Sequence, residues 1–222
     1  MKVMILAAGR GERLRPVTDT LPKPLVEVRG KPLIVWHLEH LAAAGFRDVV
    51  INVSHLGGVI IKVLGDGAHW GLAISWSQEA QPLETAGGIA NARNLLGDKP
   101  FLLVNADVYC EHPFTSLGKV ELAQRLGYLV MVPNPSFRPQ GDFSLAQGKV
   151  GNLAAPRYTY SGLGVFDPRI VEGVAAGARA PLAPLLRDAA ESGRLGGELY
   201  TGMWNDVGTH ERLADLNRKN AT

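Results

Sequence analysis

The chain has a single cysteine, Cys110, so an internal disulfide is impossible and the sequence suits a reducing compartment. Net charge is equally scarce. A formal balance of +2 over 222 residues is too slight for the electrostatic footprint of a nucleic-acid binder, so no nucleic-acid partner is expected. No apolar run approaches the roughly 18 residues of a membrane helix. The run Val3–Ala8 is shorter than the apolar region of a signal peptide, so a cytoplasmic protein with no membrane partner is expected. Internal repeats and low-complexity segments are missing too. So is the P-loop pattern G-x-x-x-x-G-K-[ST]. The dinucleotide pattern G-x-G-x-x-G fails because Leu14 stands at the third glycine position and Pro16 follows, which removes the nicotinamide-dependent oxidoreductase reading.

What is present is an ordinary globular composition, with 46% hydrophobic and 20% charged residues, in a chain long enough to bury a core. Apolar runs at Met1–Leu6, Asp48–Val53 and Leu72–Ser77 predict strands. Pro32 to Ala44, stopped by Gly45, predicts a helix with Ile34, Leu38 and Leu41 on one face, and Gly57–Leu64 predicts another. His37 and His40 of the first helix read as surface or boundary residues. This alternation is the pattern of a parallel sheet with helices on both faces, in which ligands lie beyond the carboxyl ends of the strands.

The loop after the first run, Leu6–Leu25, concentrates the means of holding a polyphosphate. It has small residues and glycines (Ala7, Ala8, Gly9, Gly11), three arginines (Arg10, Arg13, Arg15) and Lys23 between Pro22 and Pro24. Glycine lets the backbone approach phosphate oxygens, arginine binds them as a fork, and lysine supplies a point charge. Between Arg10 and Lys31, six Lys/Arg oppose three Asp/Glu, a local 6 − 3 = +3 that suits a small anionic ligand.

Further on, Thr85 can cap a helix running to Leu96, whose first turn holds Ala86, Gly87 and Gly88. Its free N–H groups suit a ligand, and its glycines equally suit close helix packing. Phe101–Ala106 predicts the most hydrophobic strand and delivers Asp107 at its carboxyl end. A carboxylate there serves equally as a ligand for a hard cation or as a turn cap. Helices are predicted over Leu117–Leu126, Asp167–Ala175 and Pro184–Ser192, with a strand at Tyr128–Val132. From Pro133 onward, prolines and glycines interrupt short segments, Phe143–Leu145 and Tyr158–Phe166 among them, which suggests an antiparallel excursion. Gly141-Asp142-Phe143 and Tyr160-Ser161-Gly162 read as sugar contacts or as plain turns. Asp206 lies in a turn, and Thr209 can cap a last helix.

Taken together, L-A-A-G-x-G-x-R (Leu6–Arg13), P-K-P-L (Pro22–Leu25), P-L-E-T-A-G-G (Pro82–Gly88), V-N-A-D-V (Val104–Val108) and W-x-D-V-G-T (Trp204–Thr209) resemble the motifs of sugar-1-phosphate nucleotidylyltransferases, in order over nearly the whole chain. The resemblance implies an α/β, Rossmann-like mixed and mostly parallel sheet with helices on both faces and a small antiparallel sugar-binding excursion. It implies one domain over 1–222, with 1–132 mainly nucleotide-binding and 133–222 mainly sugar-binding. By the same resemblance Arg13, Lys23, Asp107 and Asp206 are catalytic. Ala8, Gly9, Gly11, Glu12, Arg13, Lys23, Glu79 and Gly88 bind nucleotide, and Asn105, Asp142, Asn152, Ser161 and Gly162 bind the sugar phosphate. Asp107 and Asp206 hold Mg2+.

Glu12, where relatives usually carry Thr or Ser, and Glu84 resemble the branch that joins UTP to N-acetylmuramate 1-phosphate in cell-wall recycling. Thymidylyl transfer to glucose 1-phosphate, guanylyl transfer to mannose 1-phosphate and a catalytically silent sensor remain as alternatives. Asn152–Tyr158 (NLAAPRY) lacks the lysine that many relatives direct at the sugar phosphate, and Lys149 or Arg157 is the expected substitute. The end at Thr222 leaves no room for the β-helix domain that some relatives append.

Overall fold

The computed structural model describes residues 1–153 and 155–218. Its frame is a nine-stranded mixed sheet. The first strands are β1 (Lys2–Leu6), β4 (Asp48–Val53), β5 (Ala73–Gln78) and β6 (Phe101–Asn105). They are joined through helices and run parallel, in the order β5-β4-β1-β6. Between β1 and β4 lie a two-strand ladder, β2 (Glu27–Val28) with β3 (Lys31–Pro32), and helix α1 (Leu33–Ala43). Helix α2 (Gly57–Leu64) follows β4, and α3 (Glu84–Asn91) and α4 (Arg93–Leu96) follow β5.

Beyond Asn105 come the short strand β7 (Val108–Cys110), a single turn α5 (Phe114–Leu117), β8 (Gly127–Val132), β9 (Phe143–Ala146), β10 (Lys149–Gly151) and the long β11 (Arg157–Phe166). Helix α6 (Leu182–Glu191), β12 (Leu195–Leu199), β13 (Trp204–Asp206) and α7 (His210–Arg218) complete the chain. The sheet continues from β6 as β11-β8-β12-β10-β9. Strand β11 runs antiparallel to both β6 and β8, while β12 is parallel to β8. The expected antiparallel excursion is therefore the far end of the same sheet.

Alternate residues of the parallel strands face opposite sides, as the period of two requires. Val3, Ile5, Val49, Ile51, Leu102 and Val104 pack with Ile34, Leu38 and Leu41 of α1 and Ile60 of α2. Met4, Val50, Phe101 and Leu103 pack on the other side with Ile89 of α3 and Leu186 of α6. Each large aliphatic buried in these layers contributes about 1.5–3 kcal/mol against its exposed state. No helix among the described residues is long and apolar enough to cross a membrane.

Four expectations are corrected. The helix predicted over Leu117–Leu126 does not form; the turn α5 ends at Leu117, Gly118 closes it, and Ala123 sits at a left-handed φ of 51°, which a helix excludes. Asp167–Ala175 forms one 3-10 turn, Pro168–Val171, capped by the Asp167 carboxylate and followed by Gly173 at φ 93°. The helix expected from Thr85 to Leu96 starts at Glu84, with Thr85 inside its first turn, and breaks at Ala92 into α3 and α4. His37 is wholly buried rather than at the surface. Burial lowers its pKa to about 4; the nearby Val108 backbone counters this slightly without reaching hydrogen-bond geometry, and neither ring nitrogen has a partner.

Candidate active site

The carboxyl ends of β1 and β6 open into one cleft. The loop after β1 enters it through Gly11, whose left-handed φ of 66° favours glycine. A Cβ there would stand 2.9 Å from Thr18 Cγ2 and 3.1 Å from Lys23 Cβ. The Thr18 hydroxyl donates to the Gly11 carbonyl at 2.8 Å, so the glycine loop and the Pro22–Leu25 turn are packed as one unit. Gly9 has open space where its side chain would be, leaving room for a ligand against the backbone.

Lys23 is buried, and its Nζ donates to Asp107 Oδ2 at 2.6 Å. Asp107 belongs to the tight connection between β6 and β7, so a buried strand delivers its carboxylate to the cleft floor. Asp206 arrives from the opposite end of the sequence. Strand β13 pairs antiparallel with β7, setting Asp206 opposite Val108, and the Val207 N–H donates to the Asp107 carbonyl at 2.9 Å. The ribbon therefore brings the two aspartates to neighbouring backbone positions across its strands.

Arg212 donates to Asp206 Oδ2 at 3.0 Å and stacks over Phe137, 4.1 Å from the ring centre. Asp206 Oδ1 is buried with no hydrogen-bond partner. Gly208 makes this junction possible. A Cβ on it would fall 2.8 Å from Asp206 Oδ1 and 2.9 Å from Arg13 Nη2, and closer still to Arg212.

Three adjoining cavities occupy the cleft. The largest, about 710 Å3, is walled by Gly9–Arg13, Lys23, Gln81, Pro82, Asp107, Arg179 and Gly208, and it is the most basic. A second, about 300 Å3, runs along Leu6–Gly9, Asn52, Pro82, Glu84, Thr85, Asn105 and Asp107. The third, about 390 Å3, shares Glu84, Thr85 and Asn105 with the second and continues between Asp142, Tyr160 and the start of α6. Arg13, Lys23, Asp107, Ala8, Gly9, Gly11, Glu12, Asn105 and Asp142 therefore line connected space, and Asp206 adjoins it through Gly208.

The remaining sequence-derived residues do not line these cavities. Glu79 is buried behind the wall; its Oε1 accepts from Asn52 Nδ2 at 2.7 Å and its Oε2 from the Leu83 N–H at 3.0 Å. Asn52 Oδ1 in turn accepts from the Ala7 N–H at 2.9 Å. This chain ties the loop after β1 to the loop after β5, and Gly88 is small because a Cβ would strike Asn52 and Glu79. Ser161 is buried, accepting from the Leu163 N–H through its hydroxyl and from Trp204 Nε1 through its carbonyl. Gly162 backs the Asn105 side chain. Asn152 is turned to α6, donating to the Arg187 carbonyl and Glu191.

The N–H groups expected to be free at the start of α3 are occupied, since Ala86 and Gly87 both donate to the Ala180 carbonyl at 3.0 Å. Neither expected substitute for the missing lysine reaches the cleft. Lys149 is exposed on β10, and Arg157 is spent on the carbonyls of Asp142, Gln140 and Asn152. An additional cation in the cleft is Arg179, 2.8 Å from Glu84 and lining the first two cavities. Sequence reading missed Arg179 and Arg212 because neither stands in a motif. Asn52 carried a signal, a lone amide inside the apolar run DVVINV. Cys110 is buried, its thiol pushed up to about 12 by desolvation, which disfavours the reactive thiolate.

Comparison with known proteins gives one pattern. The sequence model of the family described as Nucleotidyl transferase matches residues 2–140. An N-acetylmuramate alpha-1-phosphate uridylyltransferase of Neisseria meningitidis serogroup B is 48% identical, over 97% of this chain and 96% of that protein. A mannose-1-phosphate guanyltransferase of Neurospora crassa is 33% identical over 94% of this chain, which spans 61% of that longer protein. Among solved structures, one from Bacillus anthracis, described as a glucose-1-phosphate thymidylyltransferase in complex with a sucrose, superposes with a TM-score of 0.86 at 19% identity, covering 99% of this chain and 95% of that one. HddC from Yersinia pseudotuberculosis, complexed with GMP-PN, gives 0.78 at 22% identity over 98% of both chains. These two show the shared fold.

Proposed function

The chain belongs to the nucleotidyl transferase family, and from that premise we propose that it joins UTP to N-acetylmuramate 1-phosphate, giving the UDP-sugar and pyrophosphate. The supporting observation is that Arg13, Lys23 and Asp107 line connected cavities at the carboxyl edge of the sheet, with Asp206 adjoining them through Gly208. The choice of base and sugar follows the 48% identical relative, which matches this chain almost end to end.

The reaction is an in-line displacement. An oxygen of the sugar phosphate forms a bond to the α-phosphorus of UTP as the bond to the pyrophosphate oxygen breaks. The protein's contribution is positioning and charge neutralisation. Gly9 to Arg13 present backbone and guanidinium to the triphosphate in the large basic cavity, and Arg179 closes its far side. Lys23 stands where the two cavities meet, beside the α-phosphate, where its charge opposes that spreading over the transferring group. Asn105, fixed against Gly162, separates the transfer point from the sugar cavity. Residues 1–132 bring the nucleotide side and 133–222 most of the sugar side of a single catalytic unit.

Asp107 and Asp206 fit a magnesium ion. Both are hard oxygen donors on one ribbon, and Asp206 Oδ1 is buried without a protein partner. No third carboxylate, His or Cys joins them among the described residues, which suits a cation that keeps waters and takes phosphate oxygens. Bound there, it would supply Lewis-acid neutralisation of the substrate phosphates.

The test is pyrophosphate release with magnesium, crossing the common nucleoside triphosphates against N-acetylmuramate, N-acetylglucosamine, glucose and mannose 1-phosphates. Turnover highest with UTP and N-acetylmuramate 1-phosphate is expected. Another preferred pair would overturn the substrate choice, and no release with any pair would overturn the catalytic reading.

A further inference from the structure

The third cavity holds four charged residues, and their pairing is uneven. Of its two acids, Glu84 is bound by Arg179 at 2.8 Å. Asp142 is bound by Arg138 at 3.0 Å and by the Tyr160 N–H at 2.9 Å. Of its two arginines, Arg138 is committed to Asp142, whereas the exposed Arg187 guanidinium has no ion pair or hydrogen bond among the described residues.

A further set of donors faces the same space. Pro181, Leu182 and Ala183 line the wall at the start of α6, and no side chain caps that ten-residue helix, so its first N–H groups and the positive end of its dipole are free. Tyr160 also lines the cavity. Its ring packs against the core and its hydroxyl is buried out of reach of that space.

A cavity with a free cation and an uncapped helix start, whose acids are both already neutralised, is built for an anion. The phosphate of the sugar is not that anion, because Lys23 and Asp107 lie across Asn105 in the neighbouring cavities. We propose that this subsite takes a carboxylate carried by the sugar ring, and that Arg187 is the residue that reads it. The inference rests on the function proposed above and deepens it. The lactyl ether of N-acetylmuramate carries such a carboxylate, and N-acetylglucosamine is the same sugar without it. A carboxylate gains a charge-assisted hydrogen bond from Arg187, while a neutral ring substituent leaves that guanidinium in water.

The experiment compares kcat/KM for N-acetylmuramate 1-phosphate and N-acetylglucosamine 1-phosphate, both with UTP, in the full chain and in R187Q and Y160F. R187Q should lower the ratio of the two values by about tenfold to a hundredfold, while Y160F, whose hydroxyl is out of reach, should leave it unchanged. An R187Q ratio equal to that of the parent, whether both rates fall together or neither moves, overturns the proposal. If the parent releases no pyrophosphate with any pair, it is the transferase reading that has failed. Calorimetric binding of the two sugar phosphates then decides the subsite. Tighter binding of the carboxylated sugar that R187Q abolishes upholds it, and equal affinities overturn it.

Discussion

Replacing His37 with leucine should make the protein less sensitive to acid. The imidazole lies at 0% exposure in the core behind Asp107, near His40 and Phe114, and both ring nitrogens lack partners. Desolvation sets its pKa at about 4 against 6.5. Because the native value lies below the unfolded one, the unfolded chain takes up the proton first as pH falls. The stability at stake is fully present above about pH 6.5 and is lost progressively toward pH 4. The full shift corresponds to about 3 kcal/mol, of which about 1.4 kcal/mol is lost by pH 5.5, before most carboxylates titrate. Leucine has similar volume and no polar atom, so His37→Leu also removes two unsatisfied nitrogens, each worth about 1–3 kcal/mol. The assay is urea unfolding followed by tryptophan fluorescence, for parent and variant, at about pH 7.5 and about pH 5.5. The parent should lose about 1.4 kcal/mol more than the variant between the two conditions. Equal losses would refute the reasoning and mean that the buried ring finds a partner or protonates without penalty.

Other substitutions probe the cleft. Lys23→Ala should cut turnover by about a hundredfold or more while circular dichroism stays unchanged; full turnover would remove Lys23 from the chemistry. Asp206→Asn should raise the magnesium concentration needed for half-maximal pyrophosphate release by about tenfold, and an unmoved magnesium curve would take Asp206 off the metal. Gly11→Ala forces a side chain into a left-handed φ and against Thr18 Cγ2, a cost of about 1–3 kcal/mol visible as a lower Tm. Adding Thr18→Ser in that background should restore part of the loss, and no recovery would place the strain elsewhere.

The parts of this molecule that were legible in the sequence are those where one physical rule acts locally. Strand β4 and helix α2 came out to the residue, because a run rich in β-branched residues and a helix bounded by glycines have few alternatives. Helix α1 was legible from its spacing, and Pro32 and Gly45 marked its limits. The three failed helices share a cause. At Gly118, Ala92 and Gly173 a local break in the backbone cuts the helix short, and apolar periodicity alone does not encode that break. His37 misled for a related reason. It lies on the buried side of α1 next to Leu38 and Leu41, and polarity argued for the surface where periodicity argued for the core.

In the site, the same division separates the residues that present chemistry from those that hold them. Lys23 announces itself because a lysine between two prolines is uncommon and has a physical use, and Arg13 and the two aspartates do so through the family motifs in which they stand. Asn52, Arg212 and Gly208 do not, because their roles exist only once segments distant in sequence meet. Asn52 joins Ala7 to Glu79 across two loops, Arg212 fixes an aspartate six residues before it, and Gly208 leaves space for Arg13 from the other end of the chain. The second aspartate shows the dependence most sharply. Asp206 is about a hundred positions from Asp107, and only the pairing of β13 with β7 sets them together. Their partnership follows from backbone hydrogen bonds rather than from either carboxylate. A change that loosened that ribbon would therefore separate the aspartates without touching a charged residue.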